Sequence, residues 1–275
     1  MTLPEPPSGT TPTADPPILV TDVGAVRTLT LNRPTAFNSF NLDLKSALLA
    51  ALAHAADDRN VRALVITGAG RAFCAGQDLK EHLALVAARD QRVARTVADF
   101  YNPMVLAVTG MAKPVIAAVN GAAAGAGAGL AFACDLRVVA ASATFSMAFA
   151  GVGLSADSGA SFLLPRLVGH GRASRMMLLG QKVDAQEALR IGMIDEVVAD
   201  ADLAATVGLL AAELASGPTM AYGWIKASLQ HGAESTLAST LDFEDRAQTE
   251  CFSSPDHLEA IEAFVQKRPP HFTGS

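Results

Sequence analysis

Lys113-Pro114-Val115-Ile116-Ala117-Ala118-Val119-Asn120-Gly121 is followed by nothing but glycine and alanine until Leu130, and few folds accommodate such a passage. Val115–Val119 is a short apolar run rich in β-branched residues, the pattern of a strand buried on both faces. Asn120-Gly121 then supplies a turn, since both residues tolerate positive φ. Leu130, Phe132 and Ala133 read as the packed face of a helix. Glycine inside a helix costs about 1 kcal/mol relative to alanine, so this density needs a cause. One cause is access: without side chains in the way, an anion or a developing oxyanion can approach the free N–H groups of a helix N-terminus. The other is close helix packing with no ligand at all, and this stretch alone leaves both open.

Several familiar uses of glycine are excluded. A G-x-G-x-x-G/A fingerprint fails, because its last position falls on Leu130 counted from Gly125 and on Phe132 counted from Gly127. No G-x-x-x-x-G-K-[ST] occurs either, which removes a P-loop. Gly121, Gly125 and Gly129 do have the G-x-x-x-G spacing of paired membrane helices. The surrounding stretch is weakly hydrophobic and broken by Asn-Gly, which does not support insertion. A net charge of −6 argues against nucleic acid and membrane as partners. Cys74, Cys134 and Cys251 are odd in number and lack metal-ligand spacing, so no metal is expected. With no basic-then-apolar N-terminal region, the expected setting is a reducing cytoplasm.

Taken in order, residues 1–16 are rich in Pro, Thr, Ser and Gly and read as a disordered lead-in. Residues 18–23 and 26–31 flank Gly24-Ala25 as a hairpin. Asn41 is placed to cap a helix over 42–56, with Leu44, Leu48 and Leu52 at helical spacing. A strand over 61–67 follows, closed by Gly68-Ala69-Gly70. This alternation predicts an α/β fold. Further on, 104–111 reads as helix, 134–140 as strand and 144–149 as a short extended piece. Residues 169–180 and 185–191 read as helices, the second capped by Asp184 and stopped by Gly192, with a short strand at 197–198. From 202 onward the chain is helical, over 203–215, 220–230, 237–251 and 255–266. The division is therefore a core over 17–201 and a helical region over 202–275, whose apolar faces need the core or another subunit to cover them.

Two more small-residue loops carry carboxylates. In Arg71-Ala72-Phe73-Cys74-Ala75-Gly76-Gln77-Asp78-Leu79 the Gly76-Gln77 amides could point into the same cleft as the glycine run, while Asp78 suits a helix cap. In Gly151-Val152-Gly153-Leu154-Ser155-Ala156-Asp157-Ser158-Gly159 the lone carboxylate, Asp157, precedes a helix, where a cap is again the common role. The six histidines show no ligand spacing. His54, His82 and His231 fall on helical segments and receive no catalytic role.

Phe73-Cys74-Ala75-Gly76-Gln77-Asp78-Leu79-Lys80, the run from Lys113 through the glycines, and Ala133-Cys134-Asp135-Leu136-Arg137 together resemble the enoyl-CoA hydratase/isomerase (crotonase) superfamily. The resemblance spans about residues 18–272. It implies a spiral of ββα units, a C-terminal α-helical trimerisation region, and a homotrimer or homohexamer. It also implies an acyl-CoA thioester substrate, with coenzyme A part of the substrate rather than a separate cofactor. The thioester oxygen would sit between two backbone N–H groups, which by motif position belong to Gln77 and Ala126. Removing an α-proton from a thioester gives an enolate whose charge collects on that oxygen, and each such donor is worth roughly 2.7–4 kcal/mol in acyl-transfer sites. For coenzyme A the resemblance implies backbone near Ala75, with Lys80 or a neighbouring subunit's Lys267 near the phosphates. Those two lysines fit a solvated surface equally well.

The sequence departs from the hydratases of that superfamily. Their two catalytic glutamates correspond to Gly129 and Phe149 here. The segment around Asp157 instead resembles dienoyl-CoA isomerases and phenylacetate-pathway enoyl-CoA isomerases, whose single aspartate matches Asp157, and the ending from Phe264 to Gly274 resembles the latter group. The resemblance therefore implies that Asp157 is the base of an enoyl-CoA isomerase. A hydratase with its acid supplied elsewhere, and an acyl-CoA-binding protein without turnover, are the other two readings.

Overall fold

The computed structural model describes residues 15–275, so the expected lead-in over 1–16 lies almost wholly outside the described residues. β1 (Ile18–Val23) and β2 (Val26–Leu31) form the expected antiparallel hairpin, in register from Ile18 opposite Leu31 to Val23 opposite Val26. Gly24 closes it at φ +58°. α1 (Leu42–Asp57) begins at Asn41, whose side chain accepts the Leu44 N–H at 3.0 Å, and it buries Leu44, Leu48 and Leu52 along one face. A pattern then repeats along the chain. β3 (Ala63–Gly68) and β4 (Ala72–Cys74) lead into α2 (Leu79–Ala87), α3 (Arg92–Thr96), a π-helical turn at Val97–Tyr101 and α4 (Asn102–Thr109). β5 (Val115–Val119) and β6 (Ala122–Ala124) lead into α5 (Ala126–Ala133). β7 (Leu136–Ala140) and β8 (Thr144–Ser146) lead into α6 (Ala160–Val168). α7 (His170–Leu179), β9 (Lys182–Asp184), α8 (Ala185–Arg190) and β10 (Glu196–Val198) complete the α/β part.

In each repeat the first strand joins one sheet and the second joins another. The larger sheet has the order β1-β2-β3-β5-β7-β10 and the smaller β4-β6-β8-β9. The chain therefore steps between the sheets as it advances, which is the expected ββα spiral. β2, β3, β5, β7 and β10 pair parallel, and the central run Val115–Val119 is buried at every position, as parallel strands covered on both faces should be.

The Asn120-Gly121 turn has a different cause from the one expected. Neither residue adopts positive φ. Gly121 is required because a Cβ there would lie 2.2 Å from the Arg71 carbonyl oxygen. The Asn120 side chain accepts the Gly68 N–H at 3.1 Å and donates to the Gly70 carbonyl at 2.9 Å. The pair thus clamps one repeat onto the preceding one.

α9 (Leu203–Ser216) lies within the main core through Leu203, Val207 and Ala211. α10 (Thr219–Glu234) docks by Lys226, which bonds the Asp135 carboxylate at 2.7 Å and the Lys113 carbonyl at 2.9 Å. Burial pushes the Asp135 carboxyl upward and the Lys226 charge opposes it. α11 (Leu237–Phe252) and α12 (Pro255–Gln266) complete the chain's helices, leaving Leu229, Leu237, Leu258, Ile261 and Phe264 exposed. Among the described residues no single helix is long and apolar enough to cross a membrane.

Candidate active site

β4, β6 and β8 are neighbours in the smaller sheet and run parallel, so their C-terminal ends open onto one edge. The three small-residue loops leave from those ends: Ala75-Gly76-Gln77 after β4, Gly125-Ala126 after β6, and the segment reaching Asp157 after β8. That edge is where open α/β sheets place their ligands. Here it holds a cavity of about 110 Å³ lined by all three loops, with Gln77, Ala126 and Asp157 on its wall. A larger cavity, about 530 Å³, lies between the C-terminal helices around Trp224 and Met220. Its lining includes the Glu244 and Asp256 carboxylates, and Asp256 is taken up by the Thr273 and Gly274 N–H groups at 2.6 and 2.8 Å.

The two expected oxyanion donors are built by different local rules. The Phe40 N–H donates to the Gly76 carbonyl at 2.7 Å and the Asp78 N–H donates to the Phe40 carbonyl at 3.1 Å. This single parallel bridge uses the peptides on both sides of Gln77. The Gln77 N–H shares a trans peptide plane with the Gly76 carbonyl and points opposite to it, so it faces away from Phe40, on the side where Gln77 lines the cavity. Ala126 is the first residue of α5, where N–H groups have no intrahelical partner. Gly125, at φ +49°, starts that helix, and its own N–H bonds the Ser146 carbonyl at 3.0 Å. Among the described residues neither the Gln77 nor the Ala126 N–H donates to any protein acceptor. Gly76, at φ +84°, lets the loops meet: a Cβ there would lie 2.7 Å from the Ala124 carbonyl and 3.4 Å from the Ala126 nitrogen.

Both expected uses of the glycine run are present, divided between its members. Gly125 and Ala126 border the cavity. Gly127 and Gly129 serve packing: a Cβ on Gly127 would lie 2.2 Å from the Cys74 carbonyl oxygen, and one on Gly129 would lie 2.7 Å from Ser158 Cβ and its carbonyl oxygen. The place that a longer side chain at 129 would take is therefore filled by the loop that carries Asp157. At the other departed position, the Phe149 ring lines the cavity and packs beside Gly125.

Asp157 is not a side-chain cap. The N-cap of α6 is Gly159, and of Asp157 only the backbone carbonyl takes part, accepting the Ala160 N–H at 2.9 Å. The carboxylate faces the cavity, and Ser158 Oγ donates to it at 2.9 Å. Burial among Phe149, Leu154 and the small-residue loops pushes its pKa above the ordinary aspartate value, with the Ser158 hydroxyl acting the other way. Ser158 holds φ +51° without being glycine, a conformation that costs about 1–2 kcal/mol and collects at functional sites.

Asp78, by contrast, is structural. It accepts the Lys80 and Glu81 N–H groups at 3.0 and 3.2 Å and pairs with Arg33 at 2.9 Å. Burial raises its pKa, but the Glu81 amide and Arg33 outweigh that and hold it low. Cys74 and Cys134 are buried thiols pushed up to about 12, unsuited to nucleophilic work. Among the described residues no group of His, Cys, Asp and Glu could hold a metal. Of the residues expected to meet coenzyme A, Ala75 stands exposed at the cavity mouth, with its N–H donated to the Phe37 carbonyl at 3.0 Å. Lys80 is exposed on the first turn of α2, beside the mouth but off the cavity wall, and Lys267 ends α12, away from its own chain's cavity.

Sequence reasoning misses two site residues. His82 lines the cavity from α2, although its helical position suggests no role. Asp78 as cap and the spacing of 78 to 82 could have placed it one turn along, on the same side. Tyr101, 2% exposed, donates its hydroxyl hydrogen to Gln77 Oε1. Burial first, then the Asp157 charge, suppresses its acidity. Nothing local marks it, because its position depends on the π-helical turn at Val97–Tyr101.

The family described as enoyl-CoA hydratase/isomerase matches residues 22–275. The chain is 44% identical over 249 residues to the 1,2-epoxyphenylacetyl-CoA isomerase of Escherichia coli, covering 90% of this chain and 95% of that protein. It is 32% identical over 252 residues to the short-chain-enoyl-CoA hydratase of Clostridium acetobutylicum, covering 91% and 95%. A crystal structure of enoyl-CoA hydratase from Bacillus anthracis matches with a TM-score of 0.88 at 32% identity, covering 94% of this chain and 100% of that one.

Proposed function

The chain belongs to the enoyl-CoA hydratase/isomerase family of acyl-CoA enzymes, and from that premise we propose that it shifts the double bond of an enoyl-CoA. The thioester oxygen lies between the Gln77 and Ala126 N–H groups. The Asp157 carboxylate takes a proton from the carbon skeleton, and the electron pair of the broken C–H bond moves into the conjugated system and onto that oxygen. The same carboxyl then returns the proton at another carbon, so atoms and charge balance with one acid–base group. A buried carboxylate of raised pKa suits both directions of transfer.

The observation that carries this reading over hydration is the pair of positions 129 and 149. Adding water needs one group to activate it and another to deliver a proton, whereas Gly129 is closed by Ser158 and Phe149 presents a hydrocarbon face. The E. coli relative named an isomerase supports the same side. Hydration has in its favour the relatives named hydratases and His82, which adds an imidazole to the cavity wall. Incubation with 3-enoyl-CoA and 2-enoyl-CoA in deuterated water separates the cases. Migration of the double bond supports isomerisation, with deuterium uptake to the extent that the proton on Asp157 exchanges with solvent before its return; hydration refutes it, and binding without change supports a non-catalytic acyl-CoA-binding protein.

Assembly belongs to the same reading. The exposed apolar residues of α10–α12 would be covered by further copies in a homotrimer or homohexamer, bringing a neighbour's Lys267 toward the coenzyme A held near Lys80. Light scattering after size exclusion gives the mass directly, and a monomer would refute this assignment.

A further inference from the structure

We propose that Tyr101 is a positioning residue for the oxyanion hole, fixing the direction of the Gln77 N–H through its hydrogen bond to the Gln77 side chain. The inference rests on the functional reading above, and it adds a residue from outside the small-residue loops.

Ala126 needs no such help, because a helix sets the direction of its N–H. Gln77 lies between elements, in a segment whose regular pairing is the single bridge to Phe40. That bridge holds the plane carrying the Gln77 N–H at one point, the Gly76 carbonyl bonded to Phe40, so the plane can still tilt about that hydrogen bond. The Gln77 side chain, attached to the Cα of the same plane, supplies a second restraint, and among the described residues the Tyr101 hydroxyl is the hydrogen-bond partner of that side chain. Tethering the amide end of Gln77 to a fixed point narrows the orientations open to its Cα and hence to its N–H.

Tyr101 can act as a fixed point because it is itself held from several directions. Its ring packs against Phe40 with centroids 5.8 Å apart and a tilt of 51°, so one residue, Phe40, braces Gln77 through its backbone and Tyr101 through its ring. The Lys45 ammonium lies 5.9 Å from the Tyr101 ring and 5.0 Å from that of Phe100, within the range of cation–π attraction. The π-helical turn ends with the Asn102 N–H bonded to the Val97 carbonyl. An extra residue in that turn rotates the residues after it by about 100° relative to a regular helix, and this inserted rotation aims Tyr101 at Gln77. Burial and the nearby Asp157 charge both oppose ionisation of the phenol, which keeps its proton on the oxygen that donates to Gln77. Removing the tether should lower transition-state stabilisation while leaving the thioester's other contacts in place.

The test uses the full-length protein and a cinnamoyl thioester of coenzyme A, whose conjugated carbonyl absorbs at longer wavelength when N–H donors draw charge onto its oxygen. The wild type is expected to shift the bound probe to the red. Tyr101→Phe should reduce the shift and lower kcat by about ten- to a hundredfold, with KM within about twofold, the signature of an interaction felt mainly in the transition state. Gln77→Leu, which keeps the backbone N–H, should do the same. The double variant should be no worse than either single one, because both break one interaction. A full red shift and full kcat in Tyr101→Phe would overturn the proposal, as would additive losses in the double variant. A raised KM at unchanged kcat would overturn it too, by showing that Tyr101 binds substrate directly. A wild type that binds the probe without any red shift would overturn the oxyanion-hole reading as well.

Discussion

Asp157→Asn separates catalysis from stability with one oxygen-for-nitrogen exchange. The carboxylate has a single side-chain partner, Ser158 Oγ at 2.9 Å, and the amide oxygen of asparagine can accept the same bond. The backbone carbonyl that takes the Ala160 N–H is untouched. Burial raises the Asp157 pKa in the folded protein, so between the unfolded and folded pKa values the native state holds more proton than the unfolded chain. In that window stability falls as pH rises, and at pH 7 the ionised aspartate is a cost that asparagine does not carry. The variant should therefore match or exceed the wild-type Tm at pH 7. The two should converge below the ordinary aspartate pKa of about 3.9. Proton exchange and double-bond migration should fall by roughly 10²–10⁴, the effect of losing a general base, which is about 3–5.5 kcal/mol of barrier. Thermal melts at pH 3.5 and 7, with solvent deuterium exchange into a bound enoyl-CoA, measure both quantities. Normal exchange in a folded Asp157→Asn protein would sink the mechanism, and a large loss of Tm at pH 7 would show that the carboxylate is structural.

The site makes three further outcomes testable. Because Asp157 must be ionised to accept a proton and burial raises its pKa above its ordinary value, kcat/KM should fall as pH drops through that raised value; a profile that breaks at or below the ordinary aspartate pKa of about 3.9 would refute the burial argument. Ala126→Pro removes one donor at the first helical position, where proline is tolerated, and should lower turnover by about 10²–10³ in a protein that still folds by circular dichroism. Gly129→Glu restores the glutamate of family hydratases, but its Cβ would meet Ser158 at 2.7 Å. Overpacking of this kind costs about 1–3 kcal/mol, so both Tm and isomerisation should drop, and a variant with native Tm and new hydration activity would contradict the account.

Residue pattern alone specifies the strands of the larger sheet, most of the helices and the residues of the three small-residue loops, whereas β4, β6 and β9 of the smaller sheet, three residues each, are too short to carry a period. Val115–Val119 can be read as a buried strand because parallel sheet covered on both faces leaves an unbroken apolar run. Asn41 and Asp184 can be read as caps because capping is a local contest for the first free N–H groups. The departures at Gly129 and Phe149 and the carboxylate at Asp157 are equally plain, since each is a matter of residue type at a spacing.

The roles of these residues are decided by contacts between segments far apart in the chain. Gly121 was expected to turn by its φ, yet it is glycine because Arg71 passes within 2.2 Å of its missing Cβ. Asp157 suits a cap by pattern, and only the left-handed Ser158-Gly159 pair, which starts α6 after the carboxylate has turned aside, frees it for the cavity. His82 and Tyr101 reach the site from outside the small-residue loops that the sequence marks, one on α2 and the other through a π-helical turn. Propensity, capping and hydrophobic period act over a few residues and are written in the chain, whereas the approach of one loop's backbone to another depends on the parallel register of β4, β6 and β8, which no single stretch encodes.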